Sequence, residues 1–92
     1  MQAVQSLTAK LKSSPQNREL FLARAQEWLA LNMPKLSILD LTKAIELSET
    51  QDEDLEFALS LREEVWLILG EEQYAAGDRE MLETIWASKT ES

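Results

Sequence analysis

The chain has 92 residues, 45% of them apolar, with two glycines, two prolines and neither cysteine nor histidine. That length supports a single core, and the missing residue types remove disulfides, sulfur-based zinc sites, thiolate nucleophiles and the usual general base near neutral pH. The net charge of −8 is uneven, with six basic and three acidic side chains in residues 1–45 against three basic and fourteen acidic ones in residues 46–92. Phosphate binding needs a concentrated basic face, so nucleic acid is not an expected ligand and a basic protein or peptide is a better one.

In the first segment, 1–13, Val4, Leu7 and Leu11 recur at helical spacing until "SSP" breaks the pattern. This short helix is too polar for a signal peptide, and no run reaches the length of about 18 apolar residues that crosses a bilayer. A cytoplasmic location without a membrane partner is the expectation. A second helix, opened by Pro15 and a capping Asn17, carries Leu20, Phe21, Ala25, Trp28 and Leu31. At "NMP", residues 32–34, Asn32 can adopt a left-handed conformation and Pro34 lacks a backbone donor, so the chain should reverse.

The third helix runs from Lys35 to about Ser48 and carries Leu36, Leu39, Leu41, Ala44, Ile45 and Leu47. From Glu53 to Ala76 the apolar pattern is unbroken through Leu55, Ala58, Leu59, Val65, Trp66 and Leu69, which predicts a fourth helix of roughly 24 residues. Thr50 or Asp52 would cap it, and the acids after them would oppose the positive end of its dipole. Gly77 then reads as a left-handed terminus and Asp78 as the cap of a fifth helix holding Met81, Leu82, Ile85 and Trp86, before a fraying "SKTES" tail. No strand pattern competes. The expected fold is all-α, antiparallel hairpins stacked from about five helices, the fourth unusually long.

Two stretches carry a resemblance. "RELFLARAQEWLALNMPKLSILDLTKAIEL", 18–47, resembles a tetratricopeptide repeat, and "WLILGEEQYAAGD", 66–78, resembles the first half of another, with Trp66, Leu69 and Gly70 at the family's W-x-x-L-G spacing. The resemblance implies a domain over 1–92 made of a packing helix (1–13), a first repeat (18–48) and a second, elongated repeat (52–89). Ala25 and Gly70 would be holes, and Trp28, Leu41, Trp66 and Trp86 knobs. Phe21 would correspond to Trp66, 45 residues on, against a family period of roughly 34. The excess would lengthen the fourth helix so that it projects past its partner. The family binds peptides in a groove lined by its first helices, which here implies Leu22, Gln26 and Leu29 from one hairpin and Leu67, Glu71 and Tyr74 from the next.

No chemistry emerges from the acidic stretches. "ELSETQDEDLEF", 46–57, lacks the glycine and alternating ligands of a calcium loop. Glu63, Glu64, Glu71 and Glu72 pair around helical turns without a nucleophile or glycine-rich loop beside them, so the chain is not expected to be an enzyme or to hold a metal or cofactor. Arg24 is the one charge on an apolar face, and Asp40 is placed to meet it in a partly buried ion pair that sets the register of the first hairpin. The function expected is a protein–protein interaction module, an adaptor, assembly factor or regulatory subunit, taking an apolar or basic segment. The alternatives are an acidic inhibitor or nucleic-acid mimic covering a basic enzyme surface, and self-association into a homo-oligomer through exposed end faces.

Overall fold

A computed structural model describes residues 2–49 and 52–90, and these form five helices: α1 (Gln2–Ser13), α2 (Arg18–Ala30), α3 (Pro34–Leu47), α4 (Glu53–Ile68) and α5 (Glu72–Thr90). Each packs on its sequence neighbours, α1 on α2, α2 on α3, α3 on α4 and α4 on α5. The result is a slab of 43 × 29 × 15 Å, an antiparallel hairpin array as the short connections require.

Local chemistry explains the boundaries. Asn17 caps α2, its side-chain oxygen accepting from the backbone N–H of Glu19 at 3.0 Å and Leu20 at 3.3 Å, an arrangement that stabilises a helix by about 1 kcal/mol. Pro34 opens α3 at a position where no N–H is needed. Asp52 starts α4 without a capping bond from its side chain; its carboxylate accepts from the Glu49 N–H and lies 3.3 Å from the Arg18 guanidinium. Thr50, the other expected cap, lies outside the described residues.

The boundary between α4 and α5 departs from the expectation. α4 ends at Ile68 after 16 residues, and α5 runs for 19 residues without interruption through Gly77 and Asp78. No overlong, projecting fourth helix exists, and Ser88 to Thr90 of the tail are helical. The chain turns instead at Gly70, whose φ of 78° matches the 60° of Asn32 in the first hairpin. Both are left-handed residues that glycine and asparagine adopt at low cost.

The two turns are the same structure, 38 residues apart. Leu31, Asn32 and Met33 donate their N–H groups to the carbonyls of Glu27, Leu29 and Trp28; Leu69, Gly70 and Glu71 donate theirs to Val65, Leu67 and Trp66. With that offset the sequence itself repeats: Arg24-x-x-x-Trp28-Leu29-x-Leu31-Asn32 corresponds to Arg62-x-x-x-Trp66-Leu67-x-Leu69-Gly70, and Asp40 corresponds to Asp78. The structural counterpart of Trp66 is thus Trp28, not Phe21.

Small residues set the helix spacing. Ala25, Ala44 and Ala58 are fully buried and form one core with Leu22, Ile38, Leu41 and Val65, while Leu55, Leu59 and Leu82 form a second beside it. Gly70 is not a packing hole, since it is exposed at the turn, and Trp86 is a surface residue at 39% exposure. The outer face of α5 is polar: where α3 sets Ile38, Thr42 and Ile45 against α4, the corresponding residues Ala76, Glu80 and Glu83 are exposed. That face offers no apolar seat for a further hairpin.

Candidate functional site

The repeated residues build a polar bolt inside each hairpin. Arg24 forks onto Asp40, Nε to Oδ2 at 2.8 Å and Nη2 to Oδ1 at 2.7 Å, and reaches back to the Thr8 hydroxyl of α1 at 3.1 Å. The pair expected from sequence is therefore present, and the hydrogen bonds that Arg24 donates to Asp40 raise the Arg24 pKa. Sequence reasoning missed its twin: Arg62 forks onto Asp78 at 2.9 and 2.6 Å and reaches the Thr42 hydroxyl of α3 at 3.1 Å. Asp78 is thus a buried mid-helix counter-ion, not a cap. Each arginine ties its own hairpin together and then to the preceding helix, and bidentate pairing makes these ties directional.

The tryptophans break the symmetry. Trp28 donates its indole N–H to Asp40 at 2.9 Å. Trp66, in the same place in the second copy, has no acceptor for its indole N–H among the described residues; its ring lies against Tyr74, centroids 4.8 Å apart and planes at 34°. Trp66 forms one wall of an open depression of about 420 Å³ whose other lining residues are Lys35, Ile38, Leu69 and Glu71. The depression sits where the start of α3 meets the second turn. Because consecutive helices are antiparallel, both turns lie at this end, and Met33, Leu36, Leu67, Ile68 and Tyr74 are exposed near them. Ile68 at 67% and Tyr74 at 60% are the most open of these five.

The opposite end, where α1 meets α2 and α3 meets α4, is held by charge. Arg18 bonds Asp54 at 3.0 Å and also contacts Asp52, so the acids that suggested a calcium loop are engaged by a guanidinium. Glu56 accepts from Lys89 and from the Trp86 indole, which hold its carboxyl below the ordinary glutamate range, and Arg79 lies over the Trp86 ring at 5.2 Å. Among the described residues no group of three acids is placed to hold a metal ion, and no helix is long and apolar enough to cross a membrane.

The residues assigned to a groove by resemblance separate. Leu22 is buried in the core at 6% exposure, so it offers no surface to a ligand, and Leu29 packs against the same core. Gln26 is exposed and turns its amide back to the Leu22 carbonyl at 3.4 Å. Leu67, Glu71 and Tyr74 are exposed, and Glu71 lines the depression. Lys35, Ile38, Trp66 and Leu69 were not singled out as site residues. The signal available for Trp66 and Leu69 was the W-L-x-L repeat, which marks residues beside a turn; Lys35 and Ile38 lie outside it. The fold and site define a five-helix array of bolted antiparallel hairpins with an apolar turn end. No known family, characterised protein or solved structure matches the chain.

Proposed function

We propose that the chain is a protein–protein interaction module of tetratricopeptide-like type, working as a cytoplasmic adaptor, assembly factor or small regulatory subunit. It takes an apolar or basic segment of a partner. The observation that carries this reading is a crowding of apolar surface: five of the nine exposed large apolar side chains among the described residues lie near the open depression at the turn end, while the Arg18–Asp54 and Lys89–Glu56 pairs hold the other end. Exposed apolar clusters on small soluble domains are costly unless something covers them. The polar outer face of α5 weighs against end-to-end stacking of copies as that cover. The test is binding of a partner segment to Leu67→Ala and Tyr74→Ala at two salt concentrations. Loss on substitution with little salt response supports the reading; steep salt dependence without effect of the substitutions indicates an acidic inhibitor acting through its charged surface instead.

A further inference from the structure

We infer that the Trp66 depression takes a short segment of another protein in which an apolar side chain is next to an arginine or lysine, and that Trp66 donates its indole N–H to a backbone carbonyl of that segment. The inference rests on the interaction-module reading and names the chemistry of the partner. Three observations converge. The internal repeat supplies a control: in the first copy the indole N–H is used up on Asp40, while in the second the equivalent donor has no acceptor among the described residues and Trp66 lines the cavity. The floor is apolar, made by Ile38 and Leu69, and wide enough for one large aliphatic or aromatic side chain. The charged lining residues are Glu71 on the α5 side, exposed and in no ion pair among the described residues, and Lys35 on the α3 side.

The charges orient the occupant. A cationic group goes to Glu71, on the same depression as the Trp66 ring, which favours cations, and away from Lys35. The overall charge of −8 favours encounter with the same kind of segment. An acidic segment meets Glu71 and the negative charge of the whole chain, and is disfavoured.

The experiment is selection of a random displayed peptide library on the immobilised full chain, followed by titration of the enriched peptide, labelled and blocked at both ends, by fluorescence polarisation. The enriched sequences should combine an aliphatic or aromatic residue with an adjacent Arg or Lys. Glu71→Lys should weaken binding about tenfold, an attractive rim charge contact replaced by a repulsive one. Lys35→Glu should strengthen it, and Trp66→Phe, which keeps an aromatic ring but is smaller and removes the N–H, should weaken it several-fold in a chain that still unfolds cooperatively. Enrichment of acidic peptides, or binding indifferent to both Glu71→Lys and Trp66→Phe, overturns the inference. If such indifferent binding is still lost with Leu67→Ala or Tyr74→Ala, the interaction-module reading stands and only the assignment to Trp66 falls; if no peptide is enriched, both fall.

Discussion

Replacing Asp78 with Asn separates two accounts of the same residue. As a helix cap, Asn serves about as well as Asp, and the change would cost less than roughly 0.5 kcal/mol. As the counter-ion of Arg62 it is not replaceable. The Asp78 side chain is 4% exposed and that of Arg62 17%, and the substitution removes the carboxylate charge and the bidentate pair of 2.6 and 2.9 Å bonds, leaving Arg62 at most one neutral amide oxygen beside its bond to Thr42. Removing one partner of a buried pair costs about 3–5 kcal/mol, and the partial exposure of Arg62 sets the expectation near the lower bound, about 3 kcal/mol. For a domain of this size that lowers Tm by roughly 12–24 °C. Thermal unfolding followed by circular dichroism reads it. A shift below about 3 °C would refute the bolt and restore the cap. The double variant Arg62→Met with Asp78→Leu removes both charges together and should recover most of the loss.

Gly77 lies mid-helix with open space around its Cα, so Gly77→Ala should stabilise the chain by about 0.5–1 kcal/mol, whereas Gly70→Ala at φ 78° should destabilise it by a similar amount; denaturant midpoints of the two variants check the opposite signs. The Ser37 hydroxyl is fully buried without a hydrogen-bond partner among the described residues, and its counterpart in the second hairpin is Ala75, so Ser37→Ala should raise stability by about 1 kcal/mol in the same assay. The Glu56 carboxyl is held below its unfolded value by its bond from Lys89 and then by that from Trp86, so its contribution is present above the ordinary glutamate range and lost as pH falls through the folded value. Glu56→Gln should therefore flatten the acid side of the stability profile measured by urea unfolding.

How much of this was legible in the sequence depends on which signal each residue offers. Asn17, Asn32 and Pro34 act through their own backbone and side chain, and helix starts and the first turn follow from them directly. Gly70 and Gly77 present the same local signal seven residues apart, and the apolar pattern from Leu55 to Ala76 runs through Gly70 without a break. Neighbouring residues cannot say which glycine turns the chain. The deciding information is long-range: the sixteen-residue spacing that joins Arg24 to Asp40 also joins Arg62 to Asp78, which places Asp78 inside a helix and the turn at Gly70. Aligning Trp66 with Phe21 hid that spacing; aligning it with Trp28 reveals it. The groove residues failed for a related reason. Leu22 is one apolar residue among many on α2, and only the positions of α3 and α4 decide that it faces the core while Leu67 does not.

The central claim is that the second hairpin copies the turn and the Arg–Asp bolt of the first but not the bond of its tryptophan, since Trp66 lines an open site with no acceptor for its indole N–H among the described residues. Solvent exchange of the tryptophan indole protons, measured by NMR on the intact chain, tests it most directly. The Trp28 proton, bonded to the buried Asp40, should exchange slowly, and the Trp66 proton should exchange rapidly. Equal protection of both protons, lost from Trp66 only in Asp78→Ala, would show that Trp66 is bonded to its own aspartate after all and would contradict the account.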